Sequence, residues 1–498
     1  MAASKKQSRR SDNQRKEGSL SEAKRSWSLY NLLVLIRVCV APFLTGYVHP
    51  DEFFQGGQEL WFGCPPTRTW EFEPQNALRS VVPPTVMTWI PLQVCAKVLG
   101  LPMEQLPGWY VWIIPRVACA IFSVLTVDFA VWSLSRSNTM TNERKTQGVP
   151  LPVLVVASAW PTLVLLNRPF TNSMETWILA LLFRTVMWHR HKGRENRVSF
   201  FQCVAVGILS AVGIFTRFTF VAFACPLILH MMHHMIRSMR ILEFVSKAVT
   251  SLGAFLLVAY LVVRQDMEFY ESSGLIFTPL NALSYNSKAD NLEEHGLHPR
   301  WTHVVVNMMM LYGPVTIMAY ASLWKPATWI VGMEEARDDG RVIEKIQEVA
   351  VLSKFILVSG LGILSLAPHQ EPRFLLPLLV PVALLSDNPF FREQFRGEIL
   401  QIWVVFNATL LVIFGILHQA GIIPALLEYS SINSAMANVT AQKTVIFYHT
   451  YMVPTFVSRT INGCVEPRIL DLDGSNDLGS LRSYLSREIR CDEANRAS

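Results

Sequence analysis

Charge is scarce in this chain. Only 16% of its 498 residues are Asp, Glu, Lys or Arg, while 51% are hydrophobic. A soluble domain carries about 25% charged residues, so the deficit excludes a soluble globular protein and points to a polytopic membrane protein. Cysteine is also sparse: the eight residues are scattered, with no CxxC or Cys/His spacing of the kind that binds zinc. There is no Gly-rich phosphate loop and no Asp-x-Asp in a cytosolic domain, so no nucleotide-sugar is implied. Nor is there an internal repeat of the sort that organises many transporters. The first apolar run is too long for a cleavable signal and lacks a small-residue cleavage site, so it is expected to stay as a transmembrane helix. The pI near 8.9 is no nucleic-acid signal. Its basic residues gather at the N-terminus (Lys5, Lys6, Arg9, Arg10, Arg15, Lys16, Lys24, Arg25) and in short loops, as on the cytosolic face of a membrane protein. No nucleic-acid partner is expected.

What is abundant is long apolar sequence. Residues 1–28 read as a disordered basic cytosolic tail, 29–420 as the membrane domain and 421–498 as a second tail. Spanning runs are predicted at about 29–48, 108–134, 149–167, 173–188, 199–214, 219–236, 241–263, 303–324, 351–367, 374–387 and 398–420. Residues 81–101 are the ambiguous stretch. If they crossed, the loop with Arg136, Arg144 and Lys145 would fall outside, against the positive-inside bias. Lying along or dipping into the membrane, they leave eleven crossings, a cytosolic N-terminus and a luminal C-terminus. Residues 49–107 then form the first luminal loop. The sequon Asn438-Val439-Thr440 falls on the luminal side, whereas Asn407-Ala408-Thr409 lies within a span and should escape glycosylation. With a luminal tail, a disulfide between Cys464 and Cys491 is an option.

This topology gathers the chemically distinctive clusters on one face. His49-Pro50-Asp51-Glu52, followed by Gln55, places two carboxylates at a membrane boundary, where they are costly unless they work in a site or face water. A helix cap after Pro50 explains them equally well. Trp70, Glu71 and Arg79 mix acid, aromatic and base, as a sugar site requires, although a solvated loop packed on the membrane would look alike. Arg168 and Asn172 end one run and Arg217 ends another; the two arginines suit phosphate or sugar, or simply snorkel. The loop 264–302 holds His295, His298 and Arg300, and a loop of that length is usually functional or disordered. Two histidines three apart lack a third ligand, so no metal is assigned. His369, Glu371 and Arg373 sit at a break between apolar runs. There they form either a boundary ion pair or a phosphate holder with a bidentate guanidinium. Arg37, Arg116 and Arg184, inside spans, read as bundle contacts or snorkelling groups.

Together these clusters resemble the glycosylphosphatidylinositol (GPI) mannosyltransferases of glycosyltransferase family 22, GT-C-type enzymes of the endoplasmic reticulum. The resemblance runs from about residue 45 to 385. It rests on His49-Pro50-Asp51-Glu52-Phe53-Phe54-Gln55, Thr69-Trp70-Glu71-Phe72, Ala77-Leu78-Arg79-Ser80, Arg168 to Thr176, Phe215 to Phe220, Thr278-Pro279-Leu280-Asn281 and His369 to Phe374. Within the family, the His-Pro-Asp-Glu, His-Gly-Leu-His-Pro-Arg and Pro-His-Gln-Glu forms look most like members that add the fourth GPI mannose. Relatives that add the third GPI mannose or the mannoses of N-glycan precursors share the framework.

The resemblance implies an all-α GT-C-type transmembrane bundle that carries its active site on luminal loops. It implies dolichyl phosphate mannose as donor, a GPI glycolipid precursor as acceptor, surrounding ER membrane lipids and no cofactor. Asp51 is the expected base, with Glu52 assisting or binding acceptor. His49, Gln55, Trp70, Glu71, Arg79, Arg168, Asn172, Arg217, His295, His298, Arg300, His369, Glu371 and Arg373 are the expected substrate contacts. A polytopic lipid or solute transporter is the alternative from another class; it would tolerate Asp51→Asn.

Overall fold

Inside hydrocarbon every backbone N–H and C=O must be satisfied within the segment, so apolar runs fold as helices. The structure, a computed structural model, describes residues 2–136, 148–188, 198–288, 290–291, 296–324, 340–386, 397–435, 444–461, 464, 468–471, 479, 482–483 and 486. Among them, six helices are long and apolar enough to cross a bilayer. These are Leu20–Phe43, Gly108–Ser135, Phe220–Ser238, Ile241–Phe269, Gln347–Leu364 and Glu398–Ser431. Phe200–Thr216, His303–Tyr312, Pro314–Leu323 and Pro372–Leu385 are shorter apolar helices. The sequon Asn438-Val439-Thr440 lies outside the described residues.

Several expected spans are therefore short or broken, and proline and glycine account for the breaks. The run 149–167 divides into Leu151–Ser158 and Trp160–Val164 around an extended Ala159, with Pro161 in the first turn of the second helix. The Trp160 N–H released at this break donates to Asn407 Oδ1 at 2.7 Å, and Asn407 Nδ2 donates to Trp403 O at 2.8 Å. Asn407 is thus a buried clamp between two helices, with no access for a glycan. Residues 303–324 break at Gly313, whose φ of +49° suits glycine. The run 81–101 forms helix from Val82 to Leu99 through a π turn at Thr85–Trp89, and stops at Gly100 in the left-handed region.

Thr171–Val186 is buried almost all round, as a helix at the centre of a bundle must be. Around it packs the main apolar core, which includes Val153, Trp160, Leu179, Phe183, Phe223 and Leu357. At the other extreme, Ile241–Phe269 leaves Leu242, Val249, Leu256 and Leu261 exposed, the surface a membrane would cover.

A second core forms on the face that carries the polar loops. Tyr47, Phe53, Phe62 and Val111 from the first half of the chain meet Ile422, Ile423, Val453 and Phe456 from the C-terminal segment. The described residues of that segment form helix Ile422–Ala435, strand β1 (Thr444–Phe447) paired in parallel with β2 (Arg468–Asp471), and a turn at Thr455–Ser458. Its disulfide differs from the expected one. Cys464 is bonded to Cys64, across 400 residues of sequence, and Cys491 lies outside the described residues. A luminal tail made a pair within it an option, whereas docking of the tail onto the first loop brings a distant partner into reach. Denatured protein treated with a maleimide-polyethylene glycol reagent is expected to gain two tags after reduction, and C64S or C464S to abolish the gain. Loss of the gain in a C491S variant alone would reinstate the local pairing.

Candidate active site

The first spanning helix gives way to irregular backbone that is stitched to the last one: Gly46 N–H donates to Gly415 O and Tyr47 N–H to His418 O, both at 2.8 Å. His49-Pro50 then redirects the chain into a single helical turn, Asp51–Phe54. Successive residues on such a turn diverge by about 100°. The two adjacent carboxylates therefore enter different environments.

Glu52 points into the bundle and is fully buried. Arg116 Nε lies 2.7 Å from its Oε1, and Arg168 Nη1 lies 2.6 Å from its Oε2. Arg116 also donates to the carbonyls of Pro42 and Leu44, at 3.2 and 2.7 Å. This carboxylate joins three elements and has no open side for substrate. Close packing continues at Gly56, where an added Cβ would meet the carbonyls of Glu52 and Pro169 within 2.9 Å. Gly57 then turns the chain at φ +95°.

Asp51 points the other way, to a partly open surface. Its Oδ2 lies 2.5 Å from Arg373 Nη1 and its Oδ1 3.4 Å from His49 Nδ1. The same His49 nitrogen accepts the Asp51 N–H at 3.2 Å. The Arg373 Nε contacts Glu371 Oε2, and Glu371 Oε1 reaches His369 Nε2 at 2.8 Å and His49 Nε2 at 3.9 Å. Asp51, Arg373, Glu371, His369 and His49 thus form a continuous chain of charge. The Asp51 and Glu371 side chains each remain 20% exposed. Burial opposes ionisation of Asp51, but the Arg373 charge and then the His49 hydrogen bond outweigh it. The carboxyl is held well below the usual carboxylate range. Glu371 is depressed in the same way, burial being overcome by Arg373 and His369.

Two further arginines converge on this chain. Arg217 follows the Phe200–Thr216 helix, donates from Nη1 to Thr171 Oγ1 at 3.1 Å, and pairs through Nε with Glu175 Oε2 at 3.5 Å. Its guanidinium lies 5.0 Å from the Phe374 ring centroid, and that of Arg373 lies 5.6 Å from the same ring. Burial lowers the Arg217 pKa to about 10 against the pull of Glu175, and the charges of Arg79 and Arg373 add to the lowering. Arg79 is held by Glu71 Oε1 at 2.9 Å, and Glu71 Oε2 accepts from Gln55 Nε2 at 2.8 Å. The loop behind Arg79 is pinned by Asp266, which accepts from Ser80 Oγ and the Val81 N–H at 2.9 Å each. The charges of Arg79, Arg217 and Arg373 act on one another here, and guanidiniums grouped in this way suit an anion with several oxygens.

The expected contacts divide accordingly. His49, Asp51, Arg79, Arg217, His369, Glu371 and Arg373 are brought together, with Glu71 and Gln55 behind Arg79. Arg168 is 2% exposed and committed to Glu52, and Asn172 is fully buried in the first turn of the central helix. His298 accepts from the Gln370 N–H at 3.3 Å, 6.0 Å from the His369 ring. Trp70 stands exposed beside Tyr285, and Arg300 is exposed and donates to Leu366 O. His295 lies outside the described residues. Arg37 and Arg184, read as bundle contacts, pair with Asp128 at 2.8 Å and lie over the Phe129 ring. Glu175 and Tyr451 are additions. A carboxylate inside a predicted span was a usable signal for the first; nothing in the tail sequence marks the second.

The family description "Alg9-like mannosyltransferase family" matches residues 28–457. The chain is 29% identical over 494 residues to GPI alpha-1,2-mannosyltransferase 4 of Homo sapiens, covering 94% of this chain and 82% of the relative. It is 31% identical over 487 residues to GPI mannosyltransferase 4 of Aspergillus oryzae, covering 92% and 83%. Among solved structures it is similar to ArnT from Cupriavidus metallidurans bound to undecaprenyl phosphate. That match has a TM-score of 0.46 at 13% identity and covers 82% of this chain and 66% of the other.

Proposed function

The chain belongs to the Alg9-like mannosyltransferase family, and from that premise we propose a specific reaction for it. It transfers mannose from dolichyl phosphate mannose to the third mannose of a GPI precursor, in α-1,2 linkage, on the luminal face of the ER membrane. The GPI substrate follows the names of the relatives, and the α-1,2 linkage that of the human one; the third mannose as acceptor follows from the resemblance. The luminal placement is supported by the Cys64–Cys464 disulfide, since such bonds persist in oxidising compartments. The bundle corresponds to the GT-C type.

The observation that carries the mechanism is the contact of Asp51 with Arg373 beside Glu371, His49 and Arg217. Asp51 is the base. As the acceptor oxygen bonds to the anomeric carbon and the bond from that carbon to phosphate oxygen breaks, the hydroxyl proton passes to Asp51. Dolichyl phosphate leaves, and Arg373, Arg217 and Arg79 neutralise its charge. Attack opposite the leaving phosphate converts the β-linked donor into an α-linked product. Glu52 is removed from the chemistry and supports the turn that aims Asp51. At rest, Arg373 holds Asp51 as a weak base; donor phosphate draws on the same guanidinium, which restores basicity to Asp51 when substrate is present.

Two outcomes test this assignment. R373K keeps the charge but loses the fork that spans Asp51 and Glu371, and is expected to raise the donor KM and lower kcat together, by about 10–100-fold in kcat/KM. Because guanidiniums carry the phosphate, transfer in microsomes is expected to persist in excess EDTA. Loss in chelator with recovery in manganese would replace the arginine assignment, and transfer to a two-mannose GPI precursor would replace the acceptor.

A further inference from the structure

The C-terminal segment reaches the charged chain around Asp51, and nothing in the reaction assigned above uses it. Tyr451 is half-buried there. Its ring centroid lies 6.1 Å from His49, 5.6 Å from Tyr47 edge-on, and 5.6 Å from His418. The ionisation of its hydroxyl is shifted upward, by burial first and then by Glu371, with Arg373 opposing, which places it electrically beside that pair.

The segment is fixed on both sides of this ring: before it, strand β1 pairs with β2 and Phe447 is buried in the second core. Directly after the ring, Tyr47 Oη donates to Met452 O at 3.0 Å, and the Val453 N–H donates to Asp471 Oδ2 at 2.8 Å, tying the backbone beyond the ring to strand β2. Downstream, the buried Glu59 accepts from Thr455 Oγ1 and from the Phe456 N–H at 3.3 Å. Arg459 donates to Phe62 O at 3.4 Å and to Glu104 O at 2.5 Å. Gly108 makes room for this docking: a Cβ there would lie 2.4 Å from the carbonyl oxygens of Phe456 and Val457. The Cys64–Cys464 bond closes the arrangement covalently. Such an array of anchors is more than a solvated tail needs. What it holds in place, at its inner edge, is one aromatic ring against the histidine that touches Asp51.

We propose that the C-terminal segment is a strap completing the active site, and that Tyr451 is a positioning residue whose ring holds His49 against Asp51. The proposal rests on the assignment of Asp51 as base. The strap is a built wall of the site, so the site is made by the first loop and the C-terminal tail together.

The test uses full-length protein in microsomes, with labelled dolichyl phosphate mannose and a three-mannose GPI precursor. Y451L, which keeps bulk without the aromatic face, is expected to lower kcat about tenfold with donor KM within twofold, as a small displacement of a reacting group does. Y451F is expected to restore most of the rate. The tag gain on reduction is expected to stay intact in both, which reports a docked strap without reference to activity. Wild-type kcat in Y451L, or equal loss in Y451F and Y451L, would overturn the positioning role. A KM effect alone would do the same and make Tyr451 a substrate contact. If D51N retains activity the base assignment falls, whereas the Y451L and Y451F rates still decide whether the strap serves the site.

Discussion

Asp51→Asn is expected to lower kcat for mannose transfer by about 10²–10⁴-fold, the range spanned by a positioned general base. Asparagine fills the same volume and accepts a hydrogen bond from Arg373, so the fold around the turn should survive. What it cannot do is take the acceptor proton. Donor binding is expected to change little, because Arg373, Arg217 and Arg79 all remain, and without the Asp51 contact at 2.5 Å Arg373 is freer to engage phosphate. The expected pattern is therefore a large loss in kcat with an unchanged or lower donor KM.

The pH dependence follows from the same contacts. A carboxyl held below its ordinary range stays ionised down to stronger acid, so its contribution to stability is complete above about pH 4 and lost only below it. No acid limb from resting Asp51 is expected between pH 5 and 8, and wild-type and D51N can be compared across that window without a pH-dependent difference in folding. Single-turnover transfer from donor-saturated enzyme is the measurement. Rates within threefold of wild type for D51N would remove Asp51 from the chemistry.

Much of this was legible in the sequence, and the parts that were not share a cause. The charge deficit and apolar runs identified a multi-pass helical protein, and motif order alone carried His49, Asp51, Arg217, Glu371 and Arg373, which the fold gathers. Periodicity failed where helices break. The run 149–167 has the composition of a span, but Pro161 and the extended Ala159 divide it, and the orphaned Trp160 N–H needs Asn407 from 247 residues away. Long-range pairing is also what concealed the Cys64–Cys464 bond and Tyr451. A tail examined on its own has no reason to dock. Only the apolar surface of Tyr47, Phe53 and Phe62 in the first loop supplies one. The Asp51-Glu52 pair was legible as a pair and not as two roles, since direction on a one-turn helix depends on what surrounds it.

That division supplies the second large effect. Glu52→Gln is expected to destabilise the protein by about 3–5 kcal/mol, the cost of removing one partner from a buried ion pair. The neutral amide leaves the guanidiniums of Arg116 and Arg168 facing each other, both buried and neither compensated. Water cannot reach them: their side chains are 1% and 2% exposed. Arg116 bonds also to Pro42 and Leu44 and Arg168 sits ahead of the central helix, so the disturbance spreads to three elements at once. The expected result is a sharp fall in protein abundance and in unfolding temperature in detergent, whereas D51N, at a partly exposed carboxylate whose partner Arg373 keeps Glu371, is expected to fall far less in both. Activity per folded molecule should fall far less in E52Q than in D51N, because Glu52 is fully buried between Arg116 and Arg168. Arg168→Met is expected to be milder than E52Q, since it leaves one complete pair between Glu52 and Arg116. The opposite outcome, E52Q as stable as wild type yet inactive, would return Glu52 to the chemistry and divide the work between two carboxylates.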